Sequence, residues 1–277
     1  MKLIRLLLLI FILLISYFLL TNPLPFGQGL LLILSLLTAL WVISLILKDA
    51  SIIDAFWGLG FVALAWFYYF KIPDSQSFRA LVLCVLTTLW GVRLALHIYI
   101  RNHGQGEDYR YQAMRAEHGK SFWWISYLRV YLLQGFLLWI IATPLMIGQK
   151  SIENNLQIAD YVGIMIWIVG FLFETIGDWQ LVQFKKKPEN KGKVMNTGLW
   201  KYTRHPNYFG DAFLWWGYYL FTFSVGGYWT IFSPILMTFL LMRVSGVALL
   251  EKKLVETKPQ YAEYVKNTSA FFPFLKR

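Results

Sequence analysis

The sequence is poor in cysteine and in charge. Its 277 residues include one cysteine, Cys84, which excludes a disulfide within the chain and any zinc or iron–sulfur site built from several cysteines. Charged residues make up only 15% of the chain, whereas soluble domains carry about 25%. Because 57% of the residues are apolar, the composition excludes a disordered protein and argues against an ordinary soluble domain.

The chain instead contains several apolar segments that are long enough to span a membrane. We predict an all-α, polytopic integral membrane helical bundle of about 7–8 transmembrane helices, because such a helix needs about 20 mainly apolar residues and the segments show no strand-like alternation. Lys2 and Arg5 precede the first segment, but no small-residue cleavage site follows it, which favours a retained anchor over a cleaved signal peptide. The eight segments are Leu3–Leu20, Gly27–Leu47, Ile52–Phe70, Leu81–Ile100, Phe122–Ile147, Ile158–Leu181, Asn207–Phe223 and Trp229–Leu250.

Basic residues are distributed unevenly between the predicted loops. With the N-terminus in the cytoplasm and all segments crossing, 20 of the 26 lysines and arginines fall on the inner side and three on the outer side. Such an excess marks the cytoplasmic face, so we expect both termini there, in a multi-pass membrane protein. The formal charge of +11 then reflects topology and contact with membrane lipids, and we expect no nucleic-acid partner.

Ionisable side chains also occur inside the predicted spans, where they are costly and mark functional sites. In the predicted topology all of them lie in the cytoplasmic halves of their helices, which indicates a polar cofactor cavity open to the cytoplasm. Buried ion pairs that lock helices together are the alternative. These residues are Asp54, Arg93, His97, Arg129, Glu174, Asp178, Asp211 and Arg243.

Several familiar sites are missing. The chain has no phosphate loop and no Gly-x-Gly-x-x-Gly fingerprint, so a nucleotide would not be held by a Rossmann fold. The four histidines lack the spacing of metal ligands, and we predict no metal site. The paired repeats with broken helices that are typical of transporters are also absent.

Residues 198–211 join a basic, aromatic turn to the seventh predicted span. Pro206 suits the first turn of a helix, and Arg204 and His205 stand just before it, where a helix N-terminus favours an anion. Asn207 and Asp211 are four residues apart and share one helical face.

The run 204–211, Arg-His-Pro-Asn-Tyr-Phe-Gly-Asp, resembles the signature of membrane reductases in the steroid 5α-reductase and sterol double-bond reductase superfamily. Residues 173–185 and 245–273 resemble neighbouring blocks of that group. Residues 51–60 and 93–115 resemble its bacterial branch, which implies a protein of the bacterial inner membrane. The resemblance implies anchor helices over 1–50 and a catalytic membrane domain over 51–277. It also implies NADPH-dependent reduction of a carbon–carbon double bond conjugated to a carbonyl. The substrate would be lipophilic (steroid-, sterol- or isoprenoid-like) and would enter from the bilayer.

The resemblance also assigns roles to residues of this chain. Asn207 would hold the nicotinamide carboxamide of NADPH and Asp211 would position the same end, while basic side chains would meet the phosphates. Lysines 185–187 would equally serve as an anchor to anionic lipid. The implied cofactor site comprises Asn207, Asp211, Arg204, His205, Tyr208, Glu174, Asp178, Lys186, Tyr202 and Arg243.

Hydride transfer to such a substrate leaves an enolate, whose charge a protonated acid or a hydroxyl must stabilise. The human-type steroid reductases use a Gln-Glu pair and a tyrosine, and this chain lacks that pair in its early spans. We predict Asp54 as the replacement acid, kept protonated by burial, with Tyr99 or His97 as the second donor.

Two other functions remain open. The Arg-His-Pro-x-Tyr core also occurs in membrane methyltransferases that use S-adenosylmethionine, but these usually carry a Glu-Glu pair after the last span. This chain has Glu251-Lys252-Lys253 there, and Asn207 and Asp211 favour the reductase. A non-enzymatic lipid-binding or assembly protein is the third reading, and the sequence does not indicate an oligomeric state.

Overall fold

A computed structural model of the protein describes residues 25–72, 76–150, 154–244 and 246–274. Every regular element in these ranges is a helix, so the all-α prediction is confirmed there. Within these described residues, five helical stretches are long and apolar enough to cross a membrane, as expected for a helical membrane protein: Pro25–Leu47, Ile52–Lys71, Phe78–Asn102, the run Tyr109–Ile141 and Ile158–Lys186. The first predicted segment, Leu3–Leu20, lies outside the described residues.

The chain divides into two compact units, Met1–Asn154 (unit 1) and Asn155–Arg277 (unit 2). The predicted boundary between residues 50 and 51 falls inside unit 1, and as a functional boundary it stays a prediction. Unit 1 contains α1 (Pro25–Leu47), α2 (Ile52–Lys71), α3 (Phe78–Asn102), α4 (Tyr109–His118), α5 (Phe122–Ser126), α6 (Leu133–Ile141) and α7 (Thr143–Ile147). Unit 2 contains α8 (Ile158–Lys186), α9 (Pro206–Leu220), α10 (Phe232–Phe239), α11 (Val247–Thr257) and α12 (Tyr261–Asn267).

Glycines bring α2 and α3 of unit 1 close together. A Cβ placed on Gly91 would lie 2.5 Å from the carbonyl oxygen of Gly58 and 2.7 Å from a methyl group of Val62. Around this contact, Trp90 and Phe61 are fully buried. The two backbones touch here because neither glycine has a side chain to hold them apart.

The predicted span Phe122–Ile147 is not one regular helix. A π-helical turn, Tyr127–Leu132, separates α5 from α6, and the chain breaks again at Ala142, before Pro144. Proline has no N–H to donate to the preceding turn, and the hydroxyl of Thr143 donates to Ile140 O at 2.6 Å instead. An apolar count could not place this break.

Helices α8 and α9 of unit 2 meet along glycines spaced seven residues apart. A Cβ on Gly163 would lie 2.8 Å from Gly217 O, and a Cβ on Gly170 would lie 2.6 Å from Gly210 O. Another seven residues, about two turns, further on, a Cβ on Gly177 would meet the ring of Pro206 at 3.1 Å. Backbone packed on backbone leaves little freedom to slide, so the first turn of α9 has a fixed position along α8.

The last two predicted spans are shorter than expected. Helix α9 has 15 residues and therefore reaches roughly 22 Å, less than the roughly 30 Å hydrocarbon core of a bilayer. After it, the Thr222 hydroxyl donates to Tyr219 O at 2.7 Å and helps to close a turn that contains Gly226. The next apolar helical stretch, Tyr228–Val244, is also below spanning length. The predicted count of seven to eight spans is not confirmed, because it included residues that form turns; the membrane orientation stays a prediction.

Candidate functional site

The signature run forms the entry to α9 as the sequence suggests, with Pro206 in its first turn. The amide nitrogen of Asn207 donates to Asp178 Oδ1 at 2.9 Å. The amide oxygen of Asn207 is buried and accepts no hydrogen bond from any group that the structure describes. Since a buried acceptor without a partner costs about 1–3 kcal/mol, this oxygen is suited to receive an N–H or O–H donor from a ligand.

Three acids lie buried beside this asparagine on the two facing helices. Glu174 is 2% exposed, Asp178 5% and Asp211 9%. Gly210 lets α9 approach Glu174, whose Cβ would lie 2.9 Å from a Cβ at that position. We call Asn207, Asp178, Glu174 and Asp211 the first-turn cluster. Among the residues in the four described ranges, no three His, Cys, Asp or Glu side chains are grouped to hold a metal ion.

Arg204 is directed into the protein. Its Nε donates to Glu251 Oε1 at 2.7 Å and its Nη2 donates to Glu251 Oε2 at 3.1 Å. Its Nη1 donates to the backbone oxygens of Val265 and Thr268, and the side chain is only 6% exposed. Its charge and most of its donors are satisfied inside unit 2, which differs from the predicted contact with cofactor phosphates.

His205 shares the same carboxylate. Its Nε2 lies 3.1 Å from Glu251 Oε1, and its ring stacks on that of Tyr208 with 5.7 Å between centroids. Burial lowers the pKa of His205 below its ordinary value of 6.5, although Glu251 acts in the opposite direction. His205 is therefore neutral at pH 7, and we assign its proton to Nε2 because a carboxylate can only accept.

Glu251 stays ionised. Burial alone would raise the pKa of this carboxyl, but the hydrogen bonds from His205 and Arg204, together with the guanidinium charge, hold it at about 2. Glu251 thus joins the signature run to α11 as a charged acceptor.

The other residues of the implied cofactor site lie at the surface. Lys186 is exposed at the end of α8. Arg243 is exposed in a π-helical turn, Leu240–Val244, and makes no ion pair or hydrogen bond with any group in the described ranges. Tyr202 is 40% exposed, and its backbone oxygen accepts from Phe274 N at 3.2 Å. The structure therefore brings Asn207, Asp178, Glu174 and Asp211 together on facing helices, whereas these three side chains are exposed.

In unit 1, Asp54 is the centre of a second polar cluster. Its Oδ2 accepts from Arg110 Nη2 at 2.5 Å and its Oδ1 accepts from the Tyr111 hydroxyl at 2.7 Å. Gln134 Nε2 donates to the Tyr111 hydroxyl at 3.5 Å, and Trp57 Nε1 donates to Gln134 Oε1 at 2.6 Å. We call these five residues the Asp54 network.

Neither predicted second donor takes part in this network. Tyr99 is 60% exposed, and its ring lies 5.6 Å from that of His103. His97 is partly exposed on α3. Asp54 is also not an isolated acid, because it forms an ion pair with Arg110. Sequence reasoning missed Tyr111, although it lies in the first turn of α4, three residues after its N-cap, Asp108.

The segment before α4 holds this helix in place. Glu107 Oε2 and Oε1 accept from Arg115 at 2.9 and 2.8 Å, and Oε1 also accepts from Ala50 N at 2.8 Å. Burial alone would raise the pKa of Glu107, but the hydrogen bonds from Arg115 and Ala50 N–H keep it below its ordinary value. Asp108 accepts from both the backbone and the side chain of Arg110. These bonds set the position from which Tyr111 reaches Asp54.

A bundle of long apolar helices with buried polar clusters defines the class: a helical membrane protein. The chain belongs to the family described as protein of unknown function (DUF1295), whose model matches residues 40–268. This family lies in the steroid reductase-like superfamily, so the resemblance found in the sequence is confirmed at that level. Membership of the bacterial branch stays a prediction.

Two relatives illustrate the range of similarity. An uncharacterised protein of Schizosaccharomyces pombe is 28% identical over 285 residues, which cover 92% of this chain and 81% of the yeast protein. The 3-oxo-5-alpha-steroid 4-dehydrogenase 1 of Bos taurus is 33% identical over 66 residues, which cover 24% of this chain and 26% of the bovine enzyme. No solved structure matches the chain significantly.

Proposed function

We propose that the chain is an NADPH-dependent membrane oxidoreductase. It would reduce a carbon–carbon double bond conjugated to a carbonyl in a lipophilic, steroid-, sterol- or isoprenoid-like substrate that arrives from the bilayer. The observation that carries this proposal is the buried amide oxygen of Asn207, whose amide is oriented by Asp178. The similarity to the bovine steroid dehydrogenase supports the class of reaction.

The residues of the first-turn cluster fit the nicotinamide half of the cofactor. A carboxamide N–H is a donor of the kind that Asn207 Oδ1 can accept, and ribose hydroxyls can donate to the neighbouring carboxylates. Three buried acids are a poor surrounding for phosphates, which like charge would repel. Phosphate binding is therefore assigned to exposed cations, Arg243 and Lys186, rather than to Arg204.

When bound, NADPH supplies the hydride. The proton and the stabilisation of the enolate oxygen are assigned to the Asp54 network, where a tyrosine hydroxyl already donates to a carboxylate. Tyr111 then takes the donor role predicted for Tyr99 or His97. Asp54 accepts at both carboxylate oxygens, so it orients the Tyr111 hydroxyl instead of acting as the protonated acid expected from the sequence. Gln134 donates to the Tyr111 oxygen and so favours a hydroxyl whose own proton points to Asp54 or to a substrate oxygen.

Binding of the reduced cofactor tests the assignment of Asn207. In detergent-purified protein, Asn207→Leu should weaken NADPH binding by about tenfold or more. Leucine has a volume similar to that of asparagine but neither its hydrogen-bond acceptor nor its donor. Asn196→Leu is the matched control, because Asn196 lies exposed in the segment before the signature run. Equal affinities of the two variants would show that Asn207 does not contact the nucleotide.

A membrane methyltransferase of a lipid or prenyl substrate is the second candidate. One observation favours it: Glu251, at the position where the similar methyltransferases carry a Glu-Glu pair, contacts both Arg204 and His205. This alternative expects S-adenosylmethionine binding that depends on Glu251 and tolerates Asn207→Leu. Equilibrium dialysis with both ligands distinguishes the two functions.

A further inference from the structure

The arginine of the signature run is a donor to the protein's own carboxyl-terminal segment. We call residues 246–274, which include α11 and α12, the C-terminal arm. Four N–H groups of Arg204 point to this arm, two of them to the carboxylate of Glu251, and a guanidinium has five in all. A bidentate pair of this kind is among the stronger hydrogen-bonded contacts in proteins. An external phosphate would have to compete with it.

The same guanidinium caps a helix of the arm. Val265 and Thr268, whose backbone oxygens accept from Arg204, lie in the last turn and at the C-cap of α12. Carbonyls at a helix C-terminus lack partners within the helix and carry partial negative charge. Arg204 therefore satisfies the end of α12 and the carboxylate on α11 together.

Backbone bonds and apolar contacts extend this attachment. Arg204 N donates to Ser269 O at 2.9 Å, and the Thr203 hydroxyl donates to Ala270 O at 3.3 Å. The Tyr264 hydroxyl donates to Trp200 O. Apolar side chains of α9 and the arm form a buried cluster, Phe209, Ala212, Val247 and Phe271. The arm thus retains contacts with α9 when the ion pair is removed, so variants of the pair can still fold.

The first turn of α9 is consequently held on two sides. On one side Gly177 of α8 lies against Pro206, and Asp178 accepts from the Asn207 amide. On the other side Glu251 binds Arg204 and His205, the two residues directly before that turn. Only two residues separate Arg204 from Asn207, so a shift of the arginine moves the asparagine.

We propose that Arg204 and Glu251 form a positioning pair, through which the C-terminal arm sets the first turn of α9 and the amide of Asn207. Arg204 is then a positioning residue and not a phosphate ligand. The role of Asn207 rests on the proposed function, whereas the attachment of the arm does not.

Ligand binding separates the two roles of Arg204. Arg204→Gln and Glu251→Gln should each weaken binding of reduced nicotinamide mononucleotide by about tenfold, the loss expected for one charge-assisted hydrogen bond. The double variant should be no weaker than either single variant, because both remove the same contact. Adenosine bisphosphate should bind all of these variants equally well. Glu256→Gln on the exposed face of α11 is the matched control.

A phosphate-binding Arg204 predicts the opposite pattern. Glu251→Gln would then free the guanidinium, so nucleotide binding would be unchanged or tighter, and only Arg204→Gln would lose affinity. That result would overturn the proposal. Under our proposal, Arg204→Lys, which keeps the charge but offers a single nitrogen, should bind reduced nicotinamide mononucleotide with an affinity between those of the wild type and Arg204→Gln.

Amide hydrogen exchange without any nucleotide tests the attachment itself. Glu251→Gln should speed exchange in both segments 204–212 and 261–274 by about tenfold, as for the loss of one such bond, and leave residues 158–170 of α8 unchanged. Faster exchange in the arm alone, or no change, would overturn the positioning role. If the wild type binds neither nicotinamide nor adenine nucleotide, the proposed function fails, while the exchange experiment still decides on the pair.

Discussion

The polar clusters of the two units contain similar residues but differ in whether a buried oxygen lacks a hydrogen-bond donor within the described part of the chain. In the Asp54 network both carboxylate oxygens of Asp54 have donors, and Arg110 also reaches Asp108. In the first-turn cluster the Asn207 oxygen has none within the described part of the chain. A closed cluster, in which the acceptors have donors, holds its members in place and can shift a proton along existing hydrogen bonds. An open acceptor, which has no described donor, is suited to bind a donor group of a ligand.

The helix contacts beneath the clusters differ as well. In unit 1 the glycine contact between α2 and α3 is local, at Gly58 and Gly91, whereas in unit 2 Gly163 and Gly170 repeat it along α8. A repeated backbone contact tolerates less adjustment. The open acceptor is therefore carried by the more rigid helix pair, as a preorganised binding site requires.

The largest effect is expected from breaking this rigid pair. Gly210→Leu places a side chain against the backbone of Gly170 and Glu174, and should destabilise unit 2 by roughly 3 kcal/mol or more. Thermal unfolding in detergent measures it. Val169→Leu, on the exposed face of α8, is the control and should leave the midpoint unchanged. A stable Gly210→Leu protein would contradict the close approach.

The catalytic role of the closed cluster is tested by Tyr111→Phe. Removing the hydroxyl should lower kcat by about a hundredfold, the usual contribution of a general acid, with little change in KM. NADPH oxidation with a lipophilic enone is the assay. Tyr99→Phe should retain activity, because that side chain does not contact Asp54. A larger loss for Tyr99→Phe would restore the original assignment.

Exposed cations should affect the choice of nucleotide. Arg243→Gln should weaken NADPH binding by about tenfold at low salt and leave NADH binding unchanged, because one cation facing the additional phosphate is lost. Lys186→Gln should act in the same direction, and Lys201→Gln, exposed in the turn before the signature run, is the control. Equal losses for NADH and NADPH would place both cations away from that phosphate.

The smallest effect concerns pH. The folded pKa values of His205 and Glu251 both lie below their ordinary values, 6.5 for the histidine and 4.5 for the glutamate, the latter reaching about 2. The unfolded chain therefore binds these protons more readily, and stability falls as the pH drops below 6.5 and again below 4.5. Unfolding midpoints across this range measure both losses, and His205→Gln should abolish the first. A stability that rises on acidification would contradict the neutral histidine.

How much of the structure the sequence predicts depends on how far apart along the chain the interacting residues lie. Apolar length alone locates the long helices, and the turn before Pro206 follows from local residue preferences. The partner of Asp54 lies 57 residues away at Tyr111, and that of Arg204 lies 47 residues away at Glu251. No local spacing encodes such pairs. The same limit explains why the sequence predicts a phosphate contact for Arg204, whereas the structure pairs this arginine with Glu251.

Helix ends were the other difficulty. Apolar residues continue through the turn after α9 and through the break before Pro144, so an apolar count extends the helices past both. The helix stops before Pro144 because proline has no N–H to donate, and Thr143 and Thr222 hydroxyls donate to backbone oxygens at the two ends. An apolar count shows none of these features.

Competitive binding of NADPH and S-adenosylmethionine to the purified wild-type protein tests the central claim most directly. The account predicts that NADPH binds, that Asn207→Leu weakens this binding by about tenfold, and that S-adenosylmethionine does not displace it. Binding of S-adenosylmethionine without any binding of NADPH would contradict the account and assign the open acceptor of α9 to a methyltransferase.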